Sequence, residues 1–215
     1  MSFFSSPAPG PPLPSLSRPL ARTQKKPYLC GDMREKNVIL DYREPKPHRL
    51  RRIVWCVVNA TLFRVLARPQ LRRVRNVLLR LFGARVHPQA QVYESAKIFA
   101  PWQLTLGRCT IGPGVELYNK APIAIGDDTV VSQRSFLCTA SHDISSPMMA
   151  LVTGPITLGD RVWVAAEAFI GPGVTLADGA VAGARAAVFK SVPEWTVVGG
   201  NPARQIGTRK LRDHD

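Results

Sequence analysis

The sequence predicts an all-β fold, a parallel solenoid whose coil has three flat sides. Three observations carry this. An aliphatic residue recurs every six positions over long runs. Glycine often follows it directly, as in Ile111-Gly112, Ile125-Gly126, Leu158-Gly159 and Ile170-Gly171. Small residues, among them Thr129, Ala168, Ala180 and Ala186, sit two positions before many of the aliphatic ones or four after. A period of six fits neither a helical face nor an alternating strand; it fits three short sides per turn, each sending one aliphatic side chain inward. Corners then need residues that tolerate positive φ: glycine, asparagine or aspartate.

With 215 residues, 45% of them hydrophobic, the chain can bury one sizeable core. Its formal charge of +14 is lopsided: residues 1–85 hold 18 Lys and Arg against four acids, whereas 86–215 hold 11 of each. Such an imbalance speaks to partners and solubility rather than to fold.

Residues 1–47 carry nine prolines and scattered charges, so burial cannot offset their ordering entropy and a disordered tail is expected. The first 17 residues contain no Lys or Arg, and Pro7, Pro9, Pro11, Pro12 and Pro14 interrupt them, which is unlike a secretory signal. Residues 48–85 change character. Leu50, Ile53, Val54, Val57 and Val58 recur at helical spacing, as do Leu71, Val74, Leu78 and Leu81 beyond Pro69, with Gly83 as a stop. Two short amphipathic basic helices are expected. They would cap the solenoid, whose ends need covering, or lie as a basic interfacial pair on anionic membrane. No recognition motif accompanies the charge, so nucleic acid is not expected as a partner. The longest apolar stretch, Ile53–Phe63, falls short of the roughly 20 residues that span a bilayer. Cytoplasmic localisation follows, with peripheral contact at the inner membrane face as the finer expectation.

The solenoid is placed at 86–198. Its inward positions are Val86, Val92, Ile98 and Leu104; after a reset, Ile111, Leu117 and Ile123; after another, Ile125, Val131 and Leu137; then Leu158, Val164, Ile170, Leu176, Ala182 and Val188 in unbroken step. Between Leu137 and Ile156 some 14 extra residues interrupt the step and form a loop, where function is expected because a regular coil has no pocket. Pro193 and Trp195 lead out of the last coil. Residues 199–215 form a C-terminal segment expected to pack on a neighbouring subunit.

Beyond the hexads, Ala100-Pro101-Trp102, the run from Ser132 to Pro147 and Val198-Gly199-Gly200-Asn201-Pro202-Ala203 closely resemble the colanic-acid-biosynthesis O-acetyltransferases among the hexapeptide-repeat acyltransferases. The likeness covers roughly Leu50 to Gly207. It implies a left-handed β-helix, usually trimeric, with acetyl-CoA as donor and a sugar hydroxyl, on a lipid-linked oligosaccharide, as acceptor. His142 in the interrupting loop matches the family's catalytic base, and imidazole suits the removal of an alcohol proton near neutral pH. Tyr118 and Asn119 occupy positions that line the acceptor pocket in similar enzymes, although Asn119 equally suits a turn. Ser141 and Asp143 flank the histidine. Trp163, Ala165 and Gly183 are candidates for the pantetheine groove, Lys190 and Arg204 for the coenzyme A phosphates.

Four cysteines, Cys30, Cys56, Cys109 and Cys138, lie far apart and form no CxxC pair. Cys138 is read as structural or groove-lining rather than nucleophilic, since direct transfer gains little from a second thioester. A zinc anhydrase on this coil would need three histidines, and the coil has only His87 and His142. A serine or xenobiotic acceptor, and a non-catalytic assembly scaffold, remain open alternatives.

Overall fold

The computed structural model describes residues 46–67 and 69–211. The disorder expected over 1–47 therefore falls almost wholly outside the described residues. From Arg85 onward the chain winds as a triangular parallel β-helix. A first sheet stacks Arg85–Val86, Leu104–Leu106, Ile123–Ile125, Ile156–Leu158 and Thr175–Leu176. A second stacks Gln91–Val92, Thr110–Ile111, Val130–Val131, Trp163–Val164, Val181–Ala182 and Thr196–Gly199. The third stacks Lys97–Ile98, Glu116–Tyr118, Phe136–Cys138, Phe169–Ile170 and Ala187–Val188. The chain visits first, second and third sheet in turn, so each coil adds one rung to all three.

Register puts like on like. Val131 pairs with Ile111 and Val164, and Leu137 with Leu117 and Ile170. These side chains are fully buried and form one continuous core, each contributing roughly 1.5–3 kcal/mol of burial. The phase resets in the sequence have a local cause. Leu104 and Leu106, Ile123 and Ile125, and Ile156 and Leu158 are pairs within three-residue strands of the first sheet, both members inward and the middle residue outward. At Ile123 and Ile125, and at Ile156 and Leu158, the longer side absorbs two extra residues and the step of six resumes; from Leu106 the chain reaches Ile111 in five, so the corner that follows is one residue shorter.

The corners meet expectation in part. Gly114, Gly173, Gly179 and Asp128 turn with positive φ, but Arg134, Arg161, Glu167 and Arg185 do so as well, between 56° and 60°, although a left-handed conformation costs a non-glycine residue about 1–2 kcal/mol. The stacked core imposes the turn on whichever residue stands there. At one corner the side chains pair: Glu167 accepts from Nε of Arg134 at 2.8 Å and of Arg185 at 2.6 Å. Another corner carries an aspartate ladder, in which Asp127, Asp160 and Asp178 each accept the main-chain N–H of Arg108, Asp127 and Asp160 respectively.

Helices α1 (Lys46–Ala60), α2 (Leu62–Val65) and α3 (Arg72–Leu81) lie on the first coil. The N–H that follows an inward residue donates to the inward residue's carbonyl on the next coil, as Tyr93 does to Ile111, so on the first coil the carbonyls of Val86, Val92 and Ile98 have no preceding coil to serve them. The helices serve them. Trp55 Nε1 donates to the Ile98 carbonyl (2.6 Å), Arg75 Nε to Val92 (2.9 Å), Asn76 Nδ2 to Ala90 (2.9 Å) and Arg80 Nε to Val86 (2.8 Å). This corrects the helical reading in part. Val58 and Leu78 of the apolar stripes do pack against the core, but the face turned to the solenoid is carried mainly by Trp55, Asn59, Arg75, Asn76 and Leu79, whereas Leu50, Ile53, Val54, Val57, Val74 and Leu81 are exposed. Hydrophobic periodicity misleads here because the surface to be covered is a row of unpaired carbonyls, which calls for donors.

At the other end, Arg204–Thr208 folds back antiparallel on Thr196–Gly199. The C-terminal segment therefore pairs with its own chain, and the boundary placed after Val198 falls inside a strand. Among the described residues no helix is long and apolar enough to cross a membrane.

Candidate active site

The interruption of the hexads is an antiparallel hairpin, Ala140–His142 against Leu151–Thr153. It leaves the prism where the third sheet hands over to the first. Thr139 pins its base: the Thr139 hydroxyl donates to the Tyr118 carbonyl and accepts from Ala121 N–H, and its carbonyl accepts from Gly154 N–H. Cys138, just before, is buried and directs its thiol at the Ala140 carbonyl.

His142 is exposed at the end of the hairpin's first strand, opposite Leu151. Its Nδ1 lies 2.6 Å from the Met149 carbonyl. A carbonyl only accepts, so Nδ1 carries the proton and Nε2 keeps a free lone pair. Sequence reasoning named no group that fixes this tautomer; a main-chain partner seven residues away leaves no trace in side-chain identity. Asp143 does not reach the ring. Its Oδ1 accepts from Ser145 N–H (2.9 Å) and Ser145 Oγ (2.5 Å), closing the hairpin's turn, and these bonds, the hydroxyl's first, hold its carboxyl below the usual range. Ser141 is exposed and pairs with Val152.

Tyr118 stands one coil before the hairpin, half-buried between Phe99 (5.0 Å between centroids) and Phe136 (6.5 Å) in an outward aromatic row on the third sheet. Asn119 is fully buried. Its Oδ1 accepts from Ala100 N–H (2.9 Å) and its Nδ2 donates to Ala100 O (2.6 Å). The amide is engaged at both ends by its own chain, as the turn reading requires.

The remaining candidates lie elsewhere. Ala165 and Gly183 belong to a column on the second sheet, Gly112, Ser132, Ala165, Gly183 and Gly199, each following an inward residue that pairs with the next. This column of small side chains runs along the coil axis. The exposed indole of Trp163 leans across it, with Nε1 3.0 Å from Ser132 Oγ. Arg204 is exposed and pairs with Gly199 at the column's far end. Gly112, Ser132 and Gly199 were missed by sequence reasoning, although counting hexads in register would have found them. Lys190 is exposed and follows the last strand of the third sheet, so it shares the hairpin's edge of the prism, two coils further on.

The candidates thus form two groups. His142, Ser141, Asp143, Tyr118 and Lys190 lie along the edge between third and first sheets, and Trp163, Ala165, Gly183 and Arg204 on the second sheet, which is the face opposite that edge. Among the described residues no three His, Cys, Asp or Glu side chains cluster as metal ligands.

No protein-family model matches the chain. The Escherichia coli K12 protein WcaF, named as a colanic acid biosynthesis acetyltransferase, is 46% identical over 158 residues, covering 73% of this chain and 86% of WcaF. The galactoside O-acetyltransferase of the same organism is 32% identical over 96 residues, 43% of this chain and 46% of that protein. Among solved structures, the hexapeptide-repeat acetyltransferase VCA0836 of Vibrio cholerae superposes with a TM-score of 0.67 at 26% identity, covering 78% of this chain and 95% of that one. Its complex with acetyl-CoA superposes at 0.64 over 76% and 89%.

Proposed function

Since the chain belongs to the hexapeptide-repeat acetyltransferases of the colanic acid biosynthesis type, with acetyl-CoA as donor, we propose that it acetylates a sugar hydroxyl during polysaccharide assembly, with His142 as general base. The observation that carries this is the pairing of His142 Nδ1 with the Met149 carbonyl, which leaves Nε2 as the accepting nitrogen of an exposed side chain. The relatives named for colanic acid and for galactosides support a saccharide acceptor.

In this reading Nε2 takes the proton of the acceptor hydroxyl as its oxygen attacks the thioester carbon. The carbonyl becomes a tetrahedral oxyanion, which a main-chain N–H is suited to stabilise. Collapse breaks the carbon–sulfur bond, and the imidazolium returns the proton to the leaving thiolate. Products are an acetyl ester and coenzyme A, with no covalent enzyme intermediate. The Met149 carbonyl accepts from Nδ1–H throughout, so the ring keeps its orientation as Nε2 gains and loses the proton.

The column Gly112–Ser132–Ala165–Gly183–Gly199 fits the pantetheine arm, because its main-chain amides can be approached without side-chain obstruction. Trp163 would flank the arm and Arg204 would meet the phosphates. His142 stands on the edge opposite this column, so one chain does not assemble the site. A homotrimer, as the family resemblance implies, would set the second sheet of one copy against the hairpin of the next.

The test is turnover. Purified protein is given acetyl-CoA and a panel of sugars, nucleotide sugars, lipid-linked oligosaccharides, serine and chloramphenicol, and thiol release is followed. Release that requires a saccharide, with an O-acetyl ester in the product, supports the reading; release only with serine or chloramphenicol overturns the acceptor.

A further inference from the structure

We propose that the N-terminal end of the prism is a membrane-docking face, and that its partner is anionic lipid. The proposal rests on the helical cap and does not depend on the acceptor proposed above.

Because α1 and α3 are seated on the first coil by Trp55, Asn59, Arg75 and Asn76, their opposite faces point away from the solenoid. Those faces are apolar. In α1, Leu50, Ile53 and Val57 are 67%, 54% and 59% exposed; in α3, Val77 and Leu81 are 49% and 76% exposed. Their i, i+3, i+7 and i, i+4 spacing makes each set one stripe. Residues 46–93 carry Lys46 and ten arginines and no aspartate or glutamate, and Arg49 and Arg73, both exposed, flank the stripes.

An apolar stripe bordered by arginine and devoid of acid matches an interfacial helix, which sinks its apolar side chains to the headgroup boundary while its cations meet anionic lipid. A second copy of this chain is a poor occupant, since the two faces would oppose one strongly basic surface to another. Nucleic acid would match the charge but leave the aliphatic stripe unburied. Docking by this end would hold the coil axis away from the bilayer and leave the hairpin edge free along the side.

The full-length protein is floated with vesicles of phosphatidylcholine alone or containing one part in three phosphatidylglycerol. Binding is expected to require phosphatidylglycerol and to weaken about fivefold for each arginine removed near the surface, as in Arg49→Gln and Arg73→Gln. Val57→Asp combined with Val77→Asp should abolish flotation, with the unfolding midpoint, subunit number by light scattering and turnover on a water-soluble acceptor all unchanged. The proposal is overturned if the double aspartate variant floats like the parent. It is overturned equally if vesicles are not bound at all, if duplex DNA is bound in their place, or if the variant alters subunit number, which would make the stripe a contact between copies.

Discussion

The Nδ1 of His142 and the carbonyl of Met149 stand 2.6 Å apart across the mouth of a hairpin, and this one bond decides which nitrogen of the ring can act as a base. The hairpin's register sets it, since His142 pairs with Leu151 and Asp143 N–H returns to the Ala150 carbonyl. The ring thus borrows its orientation from backbone geometry rather than from a carboxylate.

That arrangement predicts the tautomer. Nitrogen-15 NMR of histidine-labelled protein above the range in which the ring is charged should show His142 with a protonated Nδ1 and an unprotonated Nε2. The opposite tautomer, or a fast mixture of both, would mean that the Met149 bond does not form in solution.

Asn119 is predicted to act on stability. Asn119→Ala leaves the buried N–H of Ala100 without its partner and takes one of two donors from its C=O, which keeps Gln103 N–H; an unsatisfied buried donor costs about 1–3 kcal/mol. Thermal unfolding should fall well below that of the parent, and an unchanged midpoint would return Asn119 to the list of acceptor contacts.

Glu167 supplies a pH dependence. Its hydrogen bond from Arg185, and then that from Arg134, hold its carboxyl below the ordinary 4.5. The folded-state pKa therefore lies below the unfolded one, so the stabilisation is present above pH 4.5 and lost as the pH falls through the folded value. The gap in unfolding midpoint between parent and Glu167→Gln should be small, because both arginines are exposed and water screens the pairs. It should be open at neutral pH and closed in acid; a gap that widens on acidification contradicts the assignment.

Cysteine reactivity reads the core directly. Burial pushes the Cys109 thiol up to about 12, and Cys56 is exposed on α1. Brief treatment of native protein with iodoacetamide at pH 8 should alkylate Cys56 and spare Cys109, as read by peptide mapping, with both modified after denaturation. Native labelling of Cys109 would contradict the stacked coil around it.

The solenoid was legible because each inward residue meets only its neighbours one coil above and below, so a local period of six states the whole architecture. Even the phase reset at Ile123 and Ile125 obeys it once a side is allowed three residues. The hairpin was legible as a failure of the period. Three things were not. The cap's inner face is built of Trp55, Arg75 and Asn76 because it serves carbonyls, a need invisible to apolar patterning. Asn119 occupies a position that suits both a pocket and a corner, and only its distance to Ala100 separates the two. The split of the candidates between the hairpin edge and the second sheet depends on counting sides of a triangle, which residue spacing alone does not display.

We propose that an exposed imidazole, oriented by Met149, takes the acceptor's proton, and kcat/KM for acetyl transfer in His142→Ala reads that step. A fall of about a hundredfold to ten-thousandfold is expected, with the unfolding midpoint unchanged because the side chain is exposed. A variant that folds normally and keeps the parent's kcat/KM would contradict it.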